Sequence, residues 1–203
     1  MFTVIEQADR GPRKAMEYLY ESNKKRIFWI AQNLLLDCEQ AAEVTETVFE
    51  RVWNGLEWIS EEDFYCLVIM KTVDCCRWKA WKKMFAISGE QRNESVCDTA
   101  AEYILANLPV VTRYIFVLHT VGQLNEKQIA QALRMKTGKV CAILEKEKKN
   151  IEQLLQVSEK GYTDSYEQIV RFCIQWEKNN SVPGRVDRKV YDTIKRIAAS
   201  MEL

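Results

Sequence analysis

Two segments of this 203-residue chain combine residue types that could contact nucleic acid. In "VDCCRWKAWKK", residues 73–83, basic side chains alternate with tryptophans, a combination that can follow phosphates and stack on unpaired bases. In "NEKQIAQALRMKTGKV", residues 125–140, the apolar spacing is typical of two short helices joined by a turn. Many proteins insert the second helix of such a unit into the major groove. The two segments therefore predict contact with DNA.

Other residue combinations that could carry catalysis or hold a metal are not evident. The single histidine, His119, lies in a predicted apolar helix without an evident cysteine or aspartate partner. There is no glycine-rich phosphate loop, nucleophile motif or metal-ligand spacing. The seven cysteines form no C-x-x-C pair, which favours a reduced, cytoplasmic compartment over a disulfide framework. We expect no enzyme activity, no metal, no cofactor and no small-molecule substrate.

The net charge of zero conceals an uneven distribution, since 29 basic residues balance 29 acidic ones. Between Asp37 and Glu62, eight acidic residues face one arginine, whereas residues 71–92 carry a net charge of +4 and residues 136–149 one of +3. An acidic helix is a poor match for DNA and a good match for a basic protein surface. No apolar run is long enough to cross a membrane, so we expect no membrane insertion.

Hydrophobic periodicity predicts an all-α protein, and only 7 glycines and 3 prolines interrupt it. We predict two helical domains, over residues 1–87 and 101–157, joined by a polar linker at 88–100. Two further amphipathic segments at 158–203 predict a C-terminal helical hairpin. The expected helices of the two domains cover 14–36, 41–56, 63–83, 100–107, 111–121, 126–133 and 137–157. The two helices of the C-terminal hairpin lie on either side of "NNSVPG".

The helix-turn-helix pattern predicts which of its residues face the protein interior and which face DNA. Ile129, Ala130 and Leu133 should face inward on the first helix, and Thr137 can cap the second. The early outward positions of the second helix would then meet base edges: Gly138, Lys139, Cys141, Ala142 and Glu145. The lysines further along that helix would reach phosphates.

Residues 37–53, "DCEQAAEVTETVFERVW", resemble the D-x-E-x-A-E-D-L-x-Q-E-V-F-x-R-V-W segment of sigma-70-type RNA polymerase sigma factors. Residues 108–155, which begin "LPVVTRYIFVLHTVGQLNEKQIAQAL", resemble the L-P-x-x-x-R-x-x-F-x-L…G-x-S-x-x-E-I-A-x-x-L run of their promoter-binding domain. The two segments occur in the family's order, with no intermediate domain, as in the extracytoplasmic-function (ECF) group. The resemblance covers residues 14–156, and implies a sigma region 2-like bundle followed by a region 4-like helix-turn-helix domain.

The resemblance implies that the chain binds bacterial core RNA polymerase and directs it to promoter DNA. The acidic helix would bind the polymerase clamp, with contacts expected from Asp37, Glu43, Glu46, Thr47 and Glu50. The next helix would recognise and help to open the −10 element, through the D-x-x-R pair and the basic, aromatic run of Asp74, Arg77, Trp78, Lys79, Trp81, Lys82 and Lys83. The −35 element would be read by Arg113, Lys136, Thr137, Lys139, Ala142, Lys146 and Lys149. Family members are often held by a separate anti-sigma factor, which is a further expected partner.

Several positions depart from the family pattern. The turn glycine is replaced by Arg134, and the recognition helix has Cys141 and Ile143 where a lysine and an arginine are usual. The A-x-N before D-x-x-R is Val68-x-Met70. These departures leave open an alternative, a sigma-like regulatory protein that binds polymerase or another partner without productive promoter recognition. The C-terminal residues lie outside the resemblance, and are either a packing extension or a fused element that blocks DNA or polymerase binding until it is displaced.

Overall fold

The computed structural model describes residues 12–53, 61–86, 99–156, 163–179 and 181–201, and every regular element within these ranges is an α-helix. The all-α prediction is therefore confirmed for this part of the chain. In these ranges no helix is both long enough and apolar enough to cross a membrane. The helices are α1 (Pro12–Leu35), α2 (Cys38–Trp53), α3 (Glu61–Ala86), α4 (Ala100–Asn107), α5 (Val110–Thr120), α6 (Glu126–Leu133), α7 (Thr137–Gln156), α8 (Tyr166–Asn179) and α9 (Gly184–Met201).

The helices group into two compact units. Unit 1 comprises Met1–Trp78 together with Ser181–Leu203, and unit 2 comprises Lys79–Asn180. The C-terminal residues are thus divided between the units, since α8 packs on α4, α5 and α7 whereas α9 packs on α1 and α2. Helix α8 therefore covers apolar surface of unit 2, and α9 covers apolar surface of unit 1.

Unit 1 is built around a row of buried aromatic rings. Tyr20 meets the ring of Phe49 edge-on, with centroids 4.8 Å apart. Trp53 lies 5.8 Å from Phe49 and stacks on Phe64 of α3 at 5.4 Å. All four residues are almost inaccessible to solvent, and aromatic pairs add about 1 kcal/mol each to the energy of their burial. This row joins the helices that carry the acidic surface and the D-x-x-R pair.

Within unit 2, α4 begins with a capping box, in which the hydroxyl of Thr99 accepts a hydrogen bond from the Glu102 N–H at 3.2 Å. The centre of the unit is α5, whose residues 114–118 are all buried. Gly122 follows it in the turn towards α6, and a Cβ there would lie 2.5 Å from the carbonyl oxygen of Leu118. The turn therefore requires glycine, as the close backbone approach leaves no room for a side chain.

A buried carboxylate lies where α7 and α8 meet. Glu147 is 1% exposed, and its Oε1 accepts a hydrogen bond of 2.8 Å from the hydroxyl of Tyr166. The second oxygen, Oε2, is buried without a hydrogen-bond partner in the part of the chain described. Burial raises the pKa of Glu147 from 4.5 to about 7, and the hydrogen bond from Tyr166 offsets only part of this effect.

This carboxylate should make the stability of unit 2 depend on pH. Since the folded-state pKa lies above the unfolded one, protonation of Glu147 stabilises the fold. This contribution is complete below about pH 4.5 and is lost as the pH rises through 7. Glu147→Gln should abolish this dependence and raise the free energy of unfolding at pH 8 by about 1 to 3 kcal/mol. Urea unfolding at pH 5 and pH 8 measures both effects. Glu152→Gln, an exposed carboxylate on the same helix, is the control, and equal pH dependence in the wild type and Glu147→Gln would contradict the prediction.

Candidate functional site

The first candidate surface is the acidic face of α2, whose start is fixed by Asp37. Its Oδ1 accepts a hydrogen bond from the Gln40 N–H at 3.0 Å, and its Oδ2 accepts one from the Gln40 amide at 2.7 Å. The preceding residue, Leu36, has a φ of 56°, and the chain reverses there between α1 and α2. Asp37 thus serves as the N-cap of the helix that presents the other carboxylates.

The apolar positions of α2 turn its carboxylates outward. Ala41, Val44 and Val48 are among the buried residues of this helix, whereas Glu43 and Glu50 are exposed and Glu46 and Thr47 are half-buried. The hydroxyl of Thr47 donates a hydrogen bond of 2.8 Å to the carbonyl oxygen of Glu43. Four of the five predicted polymerase contacts therefore lie on the helix itself, on the side away from its buried stripe.

Basic residues of α9 neutralise one edge of this face. Lys189 Nζ lies 2.8 Å from Glu46 Oε2, and Arg196 Nη2 lies 3.2 Å from Glu50 Oε1. A third pair joins Arg185 to Glu39, a carboxylate absent from the predicted set. Sequence reasoning did not identify these cations as part of the site. Their spacing, at 185, 189 and 196, places them on one face of a helix and is the signal that could have found them.

The predicted −10 residues lie on α3, which packs on unit 1 through Phe64 and its following apolar positions. Arg77 and Trp78 are exposed, and Trp78 exposes 54% of its surface. Asp74 and Lys79 are half-buried, and both take part in interactions. The exposed indole could stack on an unpaired base. The helix also includes positions 81–83, but the side chains of Trp81, Lys82 and Lys83 lie outside the described part of the structure.

The helix-turn-helix of unit 2 is formed by α6 and α7. Asn125 caps α6, since its Oδ1 accepts hydrogen bonds from the N–H groups of Lys127 and Gln128 at 3.1 and 3.0 Å. The buried residues of α6 include Ile129, Ala130 and Leu133, as predicted, and Val140 of α7, which packs on α6, is fully buried. This packing holds α7 with one face turned away from the unit.

The outward face of α7 carries most of the predicted −35 contacts. Six of the seven predicted residues are exposed: Lys136, Thr137, Lys139, Ala142, Lys146 and Lys149. Nothing lies within 4 Å of a Cβ built on Gly138, so the start of the helix is also open. Glu145 is exposed on the same face and reduces its positive charge. The arrangement suits phosphate contacts by lysines around a small, open centre.

Arg113, the seventh residue, has a different environment. It is half-buried, and its Nη1 donates a hydrogen bond of 3.0 Å to the carbonyl oxygen of Leu105 in the last turn of α4. Burial lowers the pKa of its guanidinium group. Its Nε is buried without a hydrogen-bond partner among the described residues. In this geometry Arg113 ties α4 to α5, and only part of its guanidinium faces solvent.

Arg134 occupies the turn position where sigma factors usually have glycine. Its φ of 54° and ψ of 47° are left-handed, and the Met135 N–H bonds the Ala130 carbonyl at 2.8 Å as in a Schellman motif. A side chain in this conformation is strained, so Arg134→Gly should stabilise the chain by roughly 0.5 to 1 kcal/mol.

Thermal and urea unfolding measure this gain, and Arg134→Ala separates its two sources. Alanine removes the arginine side chain but keeps the strained backbone, so no gain is expected. If alanine stabilises as much as glycine, the arginine side chain and not the backbone conformation is the cause.

Among the described residues, no three His, Cys, Asp or Glu side chains cluster as metal ligands would. His119 is exposed on α5, and the cysteines of the described ranges are not joined in disulfides. The comparisons with protein-family models and with curated proteins find no match. The candidate sites therefore rest on the motifs and geometry of the chain itself.

Proposed function

We propose that this protein is a sigma factor of the ECF type, which binds bacterial core RNA polymerase and directs it to promoters. The acidic face of α2 docks on the polymerase clamp, α3 recognises the −10 element and α7 reads the −35 element. The observation that carries the proposal is the exposed lysine face of α7, on a helix-turn-helix whose apolar residues pack as the motif requires. The protein acts in the cytoplasm, where the polymerase and the promoter DNA are found.

The chain's charge distribution supports the use of separate surfaces for polymerase and for DNA. Four or five lysine contacts to phosphate would give nonspecific dissociation constants of about 10⁻⁴ to 10⁻⁶ M at physiological salt. Such affinity is too low to hold the protein on a promoter by itself. A large partner that binds the acidic helix would hold α7 near DNA, and the contacts of α7 would then discriminate between sequences.

The test is co-elution of the purified full-length chain with bacterial core RNA polymerase in size-exclusion chromatography. We expect a one-to-one complex that weakens as the salt concentration rises, because opposite charges form the interface. If neither the full-length chain nor any of the variants described below binds core polymerase, the proposal is overturned.

A second candidate function is a sigma-like regulator that occupies the polymerase without supporting initiation. The observation that favours it lies at Cys141 and Ile143, which are half-buried in α7 and replace the lysine and the arginine usual in the family. Glu145 further weakens the cationic face of the helix. Such a protein would bind core polymerase in the same way, but transcripts would not begin at discrete promoters.

A further inference from the structure

The last helix, α9, lies in the groove between α1 and α2. Its apolar stripe repeats at three- and four-residue steps and is almost fully buried, at Val186, Val190, Ile194, Ile197 and Ala198. Burial of several aliphatic side chains contributes about 1.5 to 3 kcal/mol each relative to exposure. This stripe therefore supplies most of the affinity of α9 for the rest of unit 1.

The polar flanks of α9 match the charges of the helices beside them. On the α2 side, Arg185, Lys189 and Arg196 pair with Glu39, Glu46 and Glu50 in the same order along both helices, so α9 and α2 run in the same direction.

On the α1 side the charges are reversed, and an acidic residue of α9 meets a basic residue of α1. Asp187 Oδ1 accepts hydrogen bonds from the Tyr20 hydroxyl at 2.7 Å and from Lys24 Nζ at 3.0 Å. The hydroxyl of Tyr191 donates to Glu21. The two flanks together specify one register for α9.

Another basic surface could replace the α9 cations in the ion pairs on the α2 side. Lys189 and Arg196 are each 68% exposed, and exposed ion pairs contribute only about 0 to 1 kcal/mol each. A groove of about 430 Å³ opens between α2 and α9, lined by Glu46, Glu50, Asp192 and the cations that face them.

We propose that α9 is a cis-acting cover of the polymerase-binding face, which occupies Glu46 and Glu50 and must leave before core polymerase can dock. The inference rests on the proposed function, because it assigns regulation to the same acidic surface. If the uncovered form amounts to about 1% of the molecules, the apparent affinity for polymerase falls about 100-fold. Core binding should therefore be limited by the release of α9.

Charge reversal on the α2 side of α9, which we call its inner flank, tests the cover directly. In the full chain, Lys189→Glu with Arg196→Glu places like charges against Glu46 and Glu50 and should loosen α9 while α2 keeps its sequence. We expect about 10-fold tighter binding to core polymerase, measured by fluorescence anisotropy of labelled protein. The matched control is Arg188→Glu with Lys195→Glu, which makes the same change in net charge at two exposed positions outside these pairs. It should bind as the wild type does.

A second variant tests the opposite direction and keeps the fold intact. Asp192 is exposed and lines the groove beside Glu46 and Glu50, so Asp192→Lys should hold α9 more firmly. We expect several-fold weaker binding to core polymerase. Hydrogen exchange of the α9 amides should be faster in the inner-flank variant and slower in Asp192→Lys.

The outcomes separate the cover from the proposed function. Tighter binding by the inner-flank variant alone, with weaker binding by Asp192→Lys, supports the cover. Equal binding by the wild type and both variants overturns it and leaves the sigma-factor proposal in place. Absence of polymerase binding by every chain overturns the proposed function and the cover with it.

Discussion

Replacing Lys146 and Lys149 by glutamate should lower the affinity of the chain for duplex DNA on the order of 100-fold at low salt. Both lysines are exposed on the outward face of α7, where each can contact a phosphate. The double substitution removes two cations and adds two repulsive charges. The slope of log affinity against log salt should also flatten by about two, since roughly 0.9 counterions are released for each phosphate contact.

The measurement is fluorescence anisotropy with a 30-base-pair duplex of arbitrary sequence over a range of about 50 to 200 mM salt, where nonspecific binding is strong enough to quantify. The matched control is Arg171→Glu with Lys195→Glu. It makes the same change in net charge at exposed positions of α8 and α9, outside α7. A loss of affinity as large in the control as in the test variant would show that net charge, and not the face of α7, governs DNA binding.

The second large effect is expected on the acidic helix. If α2 forms the proposed interface, Glu43→Lys with Glu46→Lys should weaken binding to core polymerase at least about 100-fold, because two repulsive contacts would replace two attractive ones. The substitution at Glu46 also breaks its pair with Lys189 and loosens α9. Loosening α9 alone would strengthen binding, so a net loss identifies the carboxylates as the polymerase contacts.

Size-exclusion co-elution and anisotropy with core polymerase measure this loss. The control, Glu152→Lys with Asp164→Lys, makes the same change in net charge at two exposed positions of unit 2. It should bind polymerase as the wild type does. Retained binding by the Glu43 and Glu46 variant would remove α2 from the polymerase interface.

The amphipathic pattern of the chain predicts the helices and much of their buried faces, but not which surface each face covers. Ile129, Ala130 and Leu133 are buried as their spacing indicates, because α6 packs on its neighbours in sequence, α5 and α7. For α9 the same periodicity shows a buried stripe with no sign of its partner. Its contact with α1 joins residues more than 160 positions apart, such as Tyr20 and Asp187, which local pattern does not encode.

The charge count has a similar limit in the candidate sites. It treats Glu147 as part of a solvated cationic segment, whereas α8 buries this carboxylate beside Tyr166. The resemblance to the sigma-factor pattern singles out Arg113, and the structure adds its hydrogen bond to the Leu105 carbonyl, which depends on the end of α4. The exposed lysines of α7 are predicted well, because an outward face follows directly from the inward one.

The central claim, that this chain directs polymerase to promoters, is tested most directly by transcription with core RNA polymerase on sheared bacterial genomic DNA. Transcript 5′ ends are sequenced with core polymerase alone, with the full-length chain added, and with the Lys189→Glu, Arg196→Glu variant added. We predict discrete start sites that share two upstream sequence elements, appear only with the added chain and increase with the variant. If core polymerase alone and both additions give the same start sites, the protein is not a sigma factor.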